Sequence, residues 1–467
     1  MSVDRFDLVV IGAGPAGEKG AVQAAYFGKR VAIVESEPEP GGAAVHTGTL
    51  PSKTLRESAL YLSGFRARSL YGIAVELETD ATLQKLMDRK RTIAAAEAAT
   101  IRKNLERHSV ELVRGHARFV APHSVEVRTR DGTPRRLDAD YFLIATGSYP
   151  FRPADIDFED DHIHDSDEVL DIQELPRSLA ILGGGVIGCE YACMFAALGC
   201  EVTLVDARAE ILPFLDQELI DRLKSAMENL GIRLAQGVRW GKVQRTSAGV
   251  DVSLSDGRTL STHQLLFAAG RVGRTAELGL DTIGVERDSR GYLKIDAAYR
   301  TSVPHVLAAG DVVGFPALAS ISMEQGRVAV CRAFGFSYKQ AVAELMPYGI
   351  YTIPEVSAVG ETEQSCKEKG IDYVVGRALY ANNARGKITG DLEGITKLVV
   401  AADTRRLLGV HVIGERATEL VHIGQSVIHH AGRVDTFIDM VFNYPSLAES
   451  YKYAAYECLG ALAKRGA

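Results

Sequence analysis

Two glycine-rich segments constrain the fold of this chain more than any other feature. The segment Gly12-Ala-Gly14-Pro-Ala-Gly17 follows the apolar run 6–11, and Gly183-Gly-Gly185-Val-Ile-Gly188 follows the apolar run 179–182. Both precede a stretch with helical character. The spacing G-x-G-x-x-G between a strand and a helix lets the backbone approach a pyrophosphate at the positively polarised helix N-terminus. The sequence therefore predicts two βαβ units, each with a dinucleotide site.

An acidic residue ends the second strand of each predicted unit. Glu35 follows the apolar run 31–34, and Asp206 follows the strand-like run 201–205. A carboxylate at this position accepts hydrogen bonds from ribose hydroxyls. Asp206 favours a free 2′-hydroxyl and hence NAD, whereas Arg208 would meet a 2′-phosphate, so NAD and NADP both remain open. One glycine motif is compatible with an ordinary turn, but two in this context favour two nucleotide sites.

The composition excludes several classes of protein. The 467 residues are 46% hydrophobic and 24% charged, and the net charge is −7. No basic run predicts nucleic-acid binding, and no apolar stretch reaches the roughly 18–20 residues that span a bilayer. The six cysteines include no C-x-x-C pair and the N-terminus begins with a strand, so we expect a cytoplasmic protein without a signal peptide. His429 and His430 are adjacent and cannot share a helix face, so no metal site is predicted.

A further segment, after the first glycine motif, carries a resemblance to a known family. Residues 41–53 read Gly-Gly-Ala-Ala-Val-His-Thr-Gly-Thr-Leu-Pro-Ser-Lys, which resembles the active-site helix of the flavoprotein disulfide reductases, such as lipoamide dehydrogenase. The resemblance implies an α/β fold with two Rossmann-like dinucleotide-binding domains, for FAD and NAD(P), and a C-terminal α+β dimerisation domain. It implies an FAD-binding domain at 1–150 and 271–346, an NAD(P)-binding domain at 151–270 and a dimerisation domain at 347–467.

The resemblance also assigns residues to the cofactors. In the family, the turn at the position of Thr146 closes the first half of the FAD domain. The aspartate at the position of Asp311 contacts the ribityl and pyrophosphate region of the flavin, and a helix that opens near Ala319 faces the flavin ring. A lysine at the position of Lys53 lies near the flavin and pairs with a glutamate at the position of Glu190. The residues implied to bind cofactors are Gly12, Gly14, Gly17, Glu35, Gly42, Lys53, Gly115, Ala117, Thr146, Gly147, Gly183, Gly185, Gly188, Asp206, Arg208, Gly270, Gly310, Asp311 and Ala319.

The segments that handle thiols in the family are altered here. Ala44 and Thr49 stand at the positions of the two redox cysteines, and Tyr444 stands at the position of the acid–base histidine, ahead of the retained Glu449. A tyrosine, whose pKa is normally about 10, cannot serve a thiolate at neutral pH. The joint loss of both cysteines and their partner histidine predicts a reaction in which electrons leave directly from the flavin.

The combined pattern resembles the soluble pyridine nucleotide transhydrogenases of the same superfamily over nearly the whole chain. The shared segments include 46–53, 213–218, 348–355 and 442–445. The resemblance implies a homodimer in which FAD receives a hydride from NAD(P)H and passes it to a second nicotinamide. The candidate catalytic residues are Lys53, Glu190, His46, Tyr444 and Glu449.

Two other functions remain open. The Gly-Gly-Ala-Ala opening at 41–44 and the Tyr-Pro-Ser-Leu segment near the C-terminus also resemble cysteine-deficient NAD(P)H:quinone reductases of the superfamily. In that interpretation a quinone occupies the space left by Ala44, Thr49 and Tyr444 and accepts hydrogen bonds from His46 and Tyr444. A flavin-bearing redox sensor or binding protein is the alternative from another class. The second nucleotide motif argues against it, because a protein that only binds flavin needs no second nucleotide site.

Overall fold

The structure is a computed structural model that describes residues 3–63, 71–72, 79–130 and 132–465. The chain opens with a βαβ unit. The second strand is buried along its whole length, as expected for a parallel strand covered by helices on both faces. The elements of this first part are β1 (Val3–Ile11), α1 (Pro15–Tyr26), β2 (Val31–Glu35), α2 (Gly42–His46), α3 (Thr49–Leu62), α4 (Thr79–Arg107), β3 (Glu111–Ala121), β4 (Ser124–Thr129), β5 (Pro134–Ile144) and β6 (Ser148–Pro150).

Strand β1 lies between β2 and β5 and is parallel to both. Val10 of β1 is opposite Ile33 on one side and Leu143 on the other. Strand β3 continues the sheet parallel to β2, and β4 joins β3 and β5 through antiparallel pairings. The glycine loop after β1 and Glu35 at the end of β2 therefore emerge at the same carboxyl edge, where ligands bind in open α/β sheets.

The second nucleotide-binding unit follows β6 in the chain. Its elements are β7 (Ile163–Asp165), β8 (Ser178–Leu182), α5 (Val186–Ala197), β9 (Glu201–Asp206), α6 (Gln217–Asn229), β10 (Arg233–Gln236), β11 (Trp240–Thr246), β12 (Gly249–Leu254), β13 (Thr259–Thr262) and β14 (Gln264–Phe267). The strands β10-β9-β8-β14-β7 form a parallel sheet in that order, and β11-β12-β13 form an antiparallel sheet. This unit repeats the strand–glycine loop–helix arrangement of the first.

The chain then returns to the first unit. Strand β15 (Arg271–Gly273) pairs antiparallel with β6, and β16 (Val306–Ala308) pairs parallel with β5. Helix α7 (Ala319–Ala333) packs against α1. A Cβ atom on Gly326 would lie 2.1 Å from the carbonyl oxygen of Ala16, so the two helices approach this closely because position 326 is glycine.

The C-terminal part is an antiparallel sheet with helices. Its elements are β17 (Tyr348–Ile350), β18 (Val356–Gly360), α8 (Glu363–Glu368), β19 (Tyr373–Leu379), α9 (Ala384–Thr389), β20 (Ile395–Ala401), β21 (Leu407–Ile413), α10 (Ala417–His429), α11 (Asp435–Asp439) and α12 (Ser450–Arg465). The strand order is β17-β18-β21-β20-β19. The predicted fold class, two Rossmann-like units and a C-terminal α+β region, is confirmed. Within the described residues, no helix has the length and apolar character needed to cross a membrane.

Candidate active site

A cavity of about 2210 Å³ lies where the two nucleotide-binding units meet the C-terminal sheet. It exceeds the roughly 300–1,000 Å³ of an ordinary small-molecule pocket, so it has room for more than one ligand. Its wall includes the loop after β1, the start of α3, the first turn of α5 and strand β17. The predicted site residues that line it are Gly12, Gly14, Glu35, Gly42, His46, Lys53, Gly115, Ala117, Thr146, Gly147, Gly185, Glu190, Gly270, Gly310, Asp311 and Ala319.

The first glycine motif leaves an open cradle at the start of α1. A Cβ atom on Gly17 would lie 1.8 Å from the carbonyl oxygen of Gly12. Gly12 itself has φ +99°, and a Cβ there would lie 2.5 Å from the carbonyl oxygen of Ala145. Gly17 thus serves close packing of helix on strand behind the cavity, whereas Gly12 and Gly14 form the wall. Bare backbone at a helix N-terminus suits a pyrophosphate group.

Glu35 is fixed beside this cradle. Its Oε2 atom accepts a hydrogen bond of 2.8 Å from the backbone N–H of Ala13, and Oε1 accepts one of 2.9 Å from that of Glu37. A carboxylate has about four lone-pair positions. Acceptor capacity therefore remains on Glu35 for ribose hydroxyls at the cavity wall.

An ion pair between α3 and α5 crosses the cavity wall. Lys53 Nζ donates a 2.6 Å hydrogen bond to Glu190 Oε2, and the two side chains are 26% and 9% exposed. Glu190 Oε1 accepts a 2.9 Å bond from the backbone N–H of Tyr351, whose ring centroid is 5.0 Å from Lys53 Nζ. The structure therefore brings together Lys53 and Glu190 as predicted, and adds Tyr351 from the C-terminal part. Shielded charges of this kind are screened by salt less than surface pairs.

The second glycine motif repeats the geometry of the first. A Cβ atom on Gly188 would lie 1.8 Å from the carbonyl oxygen of Gly183, as for Gly17 and Gly12. Gly185 lines the cavity, and Gly183 and Gly188 lie behind its wall. The third glycine of each motif thus allows the same close approach of helix and strand.

Asp206 and Arg208 form an ion pair beyond the cavity, at the end of β9. Asp206 Oδ1 accepts hydrogen bonds from the backbone N–H and Nε of Arg208, and Oδ2 accepts from the backbone N–H of Gly184. Arg208 Nη2 lies 2.7 Å from Asp206 Oδ2. Burial acts to raise the pKa of Asp206, but the bonds from Arg208 and Gly184 outweigh it and lower the pKa. Asp206 is therefore ionised at neutral pH, with a half-exposed guanidinium beside it that can turn toward a phosphate.

An Arg208→Ala variant is expected to lose use of NADPH selectively. A charge-assisted hydrogen bond contributes about 1.5–3 kcal/mol, so the concentration of NADPH that half-saturates flavin reduction should rise by about tenfold or more. The same value for NADH should change by less than about threefold, since Asp206 keeps its bond from Gly184 and stays ionised. Anaerobic titration with each nucleotide measures both. Equal losses for NADH and NADPH would contradict this role of Arg208.

Residues 6–326 match the family described as pyridine nucleotide-disulphide oxidoreductase, and residues 346–455 match the dimerisation domain of that family. The chain belongs to the pyridine nucleotide-disulphide oxidoreductase family. It is an FAD-dependent oxidoreductase of pyridine nucleotides, as the family resemblance implied.

Relatives resemble this oxidoreductase over almost its whole length. It is 44% identical over 456 residues to a soluble pyridine nucleotide transhydrogenase of Mycobacterium bovis, with 97% of each chain covered. It is 39% identical over 463 residues to the protein of that name from Vibrio parahaemolyticus, with 98% of this chain and 99% of the relative covered. Among solved structures, LpdA of Mycobacterium tuberculosis aligns with a TM-score of 0.88 at 29% identity over 97% of this chain and 99% of that one. A Cu(II) complex of the HOCl-induced flavoprotein disulfide reductase RclA from Escherichia coli aligns with a TM-score of 0.88 at 27% identity over the same shares.

Asp311 shows that the cavity of this oxidoreductase suits a flavin cofactor. Its carboxylate is contacted by two hydroxyls, Ser322 Oγ at 3.2 Å from Oδ1 and Ser148 Oγ at 3.4 Å from Oδ2. Burial raises the pKa of Asp311, and Arg271 and the two hydroxyls oppose this only in part. A partly buried carboxylate with two long contacts has capacity for further donors, and the polar chain between the two ends of FAD supplies hydroxyls.

An Asp311→Asn variant is expected to separate flavin binding from stability of the apoprotein. FAD retention should fall, because a neutral amide accepts weaker hydrogen bonds than a carboxylate. The apoprotein should be at least as stable as the wild type at neutral pH, because a raised pKa means that the ionised carboxylate destabilises the fold there. The greater stability of the variant apoprotein over the wild-type apoprotein should vanish as the pH falls through the raised pKa of Asp311. FAD release and thermal unfolding of both apoproteins measure the two effects; unchanged FAD retention would contradict the contact.

This oxidoreductase has no thiol in its cavity wall among the residues that the structure describes. Ala44 and Thr49, which the family resemblance aligns with two redox cysteines, both line the cavity. All six cysteines of the sequence are described, free and buried. Burial raises the pKa of Cys193 and of Cys200 to about 12, so neither is a thiolate at neutral pH. These cysteines therefore act as small apolar residues of the core.

The remaining candidate residues lie in different surroundings. His46 lines the cavity, and its Nε2 is 3.1 Å from the carbonyl oxygen of Pro40. With Nε2 as the donor in that bond, Nδ1 is the nitrogen left to accept a hydrogen bond. Tyr444 is 74% exposed on the surface of the C-terminal part, and Glu449 Oε1 accepts a bond of 3.4 Å from Tyr453. Within one chain, therefore, Tyr444 and Glu449 are not brought to Lys53.

Three aromatic residues at the cavity rim were missed by the sequence reasoning. Phe214, Phe315 and Tyr348 come from three different parts of the chain and all line the cavity; we call them the aromatic mouth. The ring centroid of Tyr348 is 5.2 Å from that of Phe214 and 6.4 Å from that of Phe315, and Phe315 is 83% exposed. The sequence carries a signal for the two phenylalanines, because each lies beside a proline in a loop, at Pro213 and at Pro316.

Proposed function

We propose that this protein is a transhydrogenase that accepts a hydride from NAD(P)H on FAD and returns it to a second nicotinamide nucleotide, without a disulfide relay. The observation that carries this proposal is the Lys53–Glu190 ion pair in a cavity wall whose cysteine positions hold Ala44 and Thr49. The family's charged pair is retained while its thiols are absent. The 44% identity to a soluble pyridine nucleotide transhydrogenase supports the same assignment.

The protein's own groups bind and orient in this proposal. FAD, when bound, supplies the two-electron chemistry. Glu190, itself held by the backbone of Tyr351, fixes the Lys53 ammonium at the cavity wall, where its charge stabilises negative charge that develops nearby. The first glycine motif and Glu35 bind one dinucleotide, and the second motif with Asp206 and Arg208 binds the other. The reduced and oxidised nicotinamides would use one site in turn, which gives ping-pong kinetics.

Two acceptor assays test the proposal. NADH or NADPH added anaerobically to the flavin-bound protein should bleach the flavin without a thiolate charge-transfer band. Thio-NAD should then reoxidise it catalytically. Lipoamide and glutathione disulfide should be inert, and turnover of either would contradict a site without thiols. Absence of bleaching would instead support a flavin-bearing sensor or binding protein.

A quinone reductase is the second candidate, and the aromatic mouth favours it. Exposed aromatic rings at a cavity rim offer faces on which a planar conjugated ring can stack. The space beside Ala44 and Thr49 would hold the ring of the same acceptor. With Nε2 of His46 bound to Pro40, Nδ1 would accept a hydrogen bond from a hydroxyl of the reduced hydroquinone and would not donate to the quinone oxygen. A soluble quinone assayed beside thio-NAD separates the two functions, because each predicts the faster rate for its own acceptor.

We propose a homodimer formed through the C-terminal part, whose surface exposes Met440, Val441 and Tyr444 by 39%, 94% and 74%. In such a dimer Tyr444 and Glu449 would meet the partner subunit's cavity. The domain boundaries at residues 150, 270 and 346, and a cytoplasmic location, are part of the same proposal.

A further inference from the structure

Three metal-ligating side chains converge on the second nucleotide-binding unit, away from the cavity wall. His162 precedes β7, Glu174 precedes β8, and His263 lies between β13 and β14. One ligand atom of each residue lies within 4.8 Å of the others. The three residues come from separate segments of the chain and do not form a short metal-ligand spacing. The sequence alone therefore predicts no metal site.

We propose that His162, Glu174 and His263 bind one divalent transition-metal ion of the Zn²⁺ class. His263 Nε2 lies 3.4 Å from Glu174 Oε1. Two ligands that each lie about 2.0–2.1 Å from a tetrahedral zinc ion are about 3.4 Å apart, so this pair already has the spacing of bound ligands. The two imidazole rings meet edge to face, with centroids 5.6 Å apart and an interplanar angle of 81°. Two imidazoles and one carboxylate are a zinc donor set, with the fourth position left for water.

The residues around the ligands orient them. His162 Nδ1 lies 3.3 Å from Asp160 Oδ1, so the nearby carboxylate favours the tautomer with the proton on Nδ1, which leaves the lone pair on Nε2. Ligating histidines are commonly held by a carboxylate in this way. His263 Nδ1 accepts a long bond of 3.4 Å from the backbone N–H of Arg177. The proton moves to Nδ1 when the metal takes Nε2, and this bond is given up at small cost, since hydrogen bonds of that length are weak.

Arg245 competes with a metal ion for the Nε2 atom of His162. Its Nη2 donates to His162 Nε2 at 3.2 Å, while Nε lies 3.2 Å from Asp160 Oδ2 and Nη1 donates to the carbonyl oxygen of Gly249 at 2.8 Å. A metal ion on His162 replaces only the Nη2 contact, and the other bonds hold the Arg245 side chain at the end of β11. Its positive charge nevertheless opposes a cation, so removal of Arg245 should strengthen metal binding.

Metal binding would join three segments of this unit. The ligands tie the segment before β7, the segment that leads into β8 and the β13–β14 connection to one ion. An ion that binds the folded and not the unfolded chain raises the free energy of unfolding. The expected role is a structural clip on the nucleotide-binding unit, separate from the chemistry at Lys53.

Zinc titration of the flavin-bound protein, purified without a histidine tag and dialysed against a chelator, tests the site. Calorimetry should find one Zn²⁺ per chain, and zinc should raise the unfolding temperature. His263→Ala and Glu174→Ala should each weaken binding by about tenfold or more, and Asp160→Asn should weaken it by about tenfold. Arg245→Met should tighten it.

Two controls keep the outcome clear. His123→Ala removes a histidine that stacks on His305 at 3.9 Å in the first unit, and it should leave zinc binding unchanged. The rate at which NADH bleaches the flavin should be unchanged in His263→Ala and Glu174→Ala, which verifies that these variants are folded. Zinc binding of wild-type strength in both variants, or no binding by the wild type at millimolar zinc, would overturn the proposal.

Discussion

A Gly17→Ala variant is expected to purify without flavin, whereas Gly188→Ala is expected to keep its flavin and lose reduction by NADH. The added Cβ atom would lie 1.8 Å from a backbone carbonyl oxygen in both cases, that of Gly12 in one and of Gly183 in the other. No rotamer change relieves a clash between Cβ and backbone, so the helix must move away from the strand. The loop that cradles the pyrophosphate moves with it, and dinucleotide binding is lost at that unit only.

Flavin absorbance after purification and anaerobic bleaching by NADH measure the two outcomes. Gly460→Ala is the matched control, because a Cβ atom at position 460 in α12 has no heavy atom within 4 Å. That variant should resemble the wild type in both measurements. If Gly188→Ala lost its flavin as fully as Gly17→Ala, or bleached at the wild-type rate, the assignment of one dinucleotide to each unit would be wrong.

A Lys53→Met variant is expected to reduce its flavin about 100-fold more slowly with NADH. Removal of one preorganised electrostatic group from an active site typically costs about 10²–10³ in rate. Lys53 supplies a positive charge whose position is fixed by a 2.6 Å bond to Glu190. Glu190→Gln keeps the ammonium but loosens its position, so a smaller loss, about tenfold, is expected. Stopped-flow bleaching measures both rates.

A purely structural salt bridge would give a different pattern. Lys90→Met is the control, because Lys90 is also a shielded lysine, which donates to the carbonyl oxygen of Leu170 and to Asp171. It should lower stability and leave the bleaching rate unchanged. The double variant Lys53→Met/Glu190→Gln should recover stability, since no unpaired charge stays buried, yet remain as slow as Lys53→Met. A wild-type rate in the double variant would rule out the electrostatic role.

Much of the candidate site was predictable because its determinants are local. The motif from Gly12 to Gly17 specifies a strand, a tight loop and a helix within six residues, and Glu35 follows at the next strand end. The pairing of Lys53 with Glu190, 137 residues apart, came from the family resemblance and not from spacing. The aromatic mouth and the contact of Tyr351 with Glu190 were missed, because neither leaves a periodic or short-range signal.

The sequence by itself determined that two dinucleotide units exist, that each needs glycine at its third motif position and that no thiol pair stands at residues 44 and 49. These follow from backbone geometry and side-chain chemistry that act within a few residues. Only the tertiary structure decided that Arg208 folds back on Asp206, that three chain segments bring His162, Glu174 and His263 together, and that Tyr444 lies on the surface away from Lys53. The reason is that such contacts depend on how whole elements pack, and packing is set by the sum of many weak interactions between residues distant in sequence.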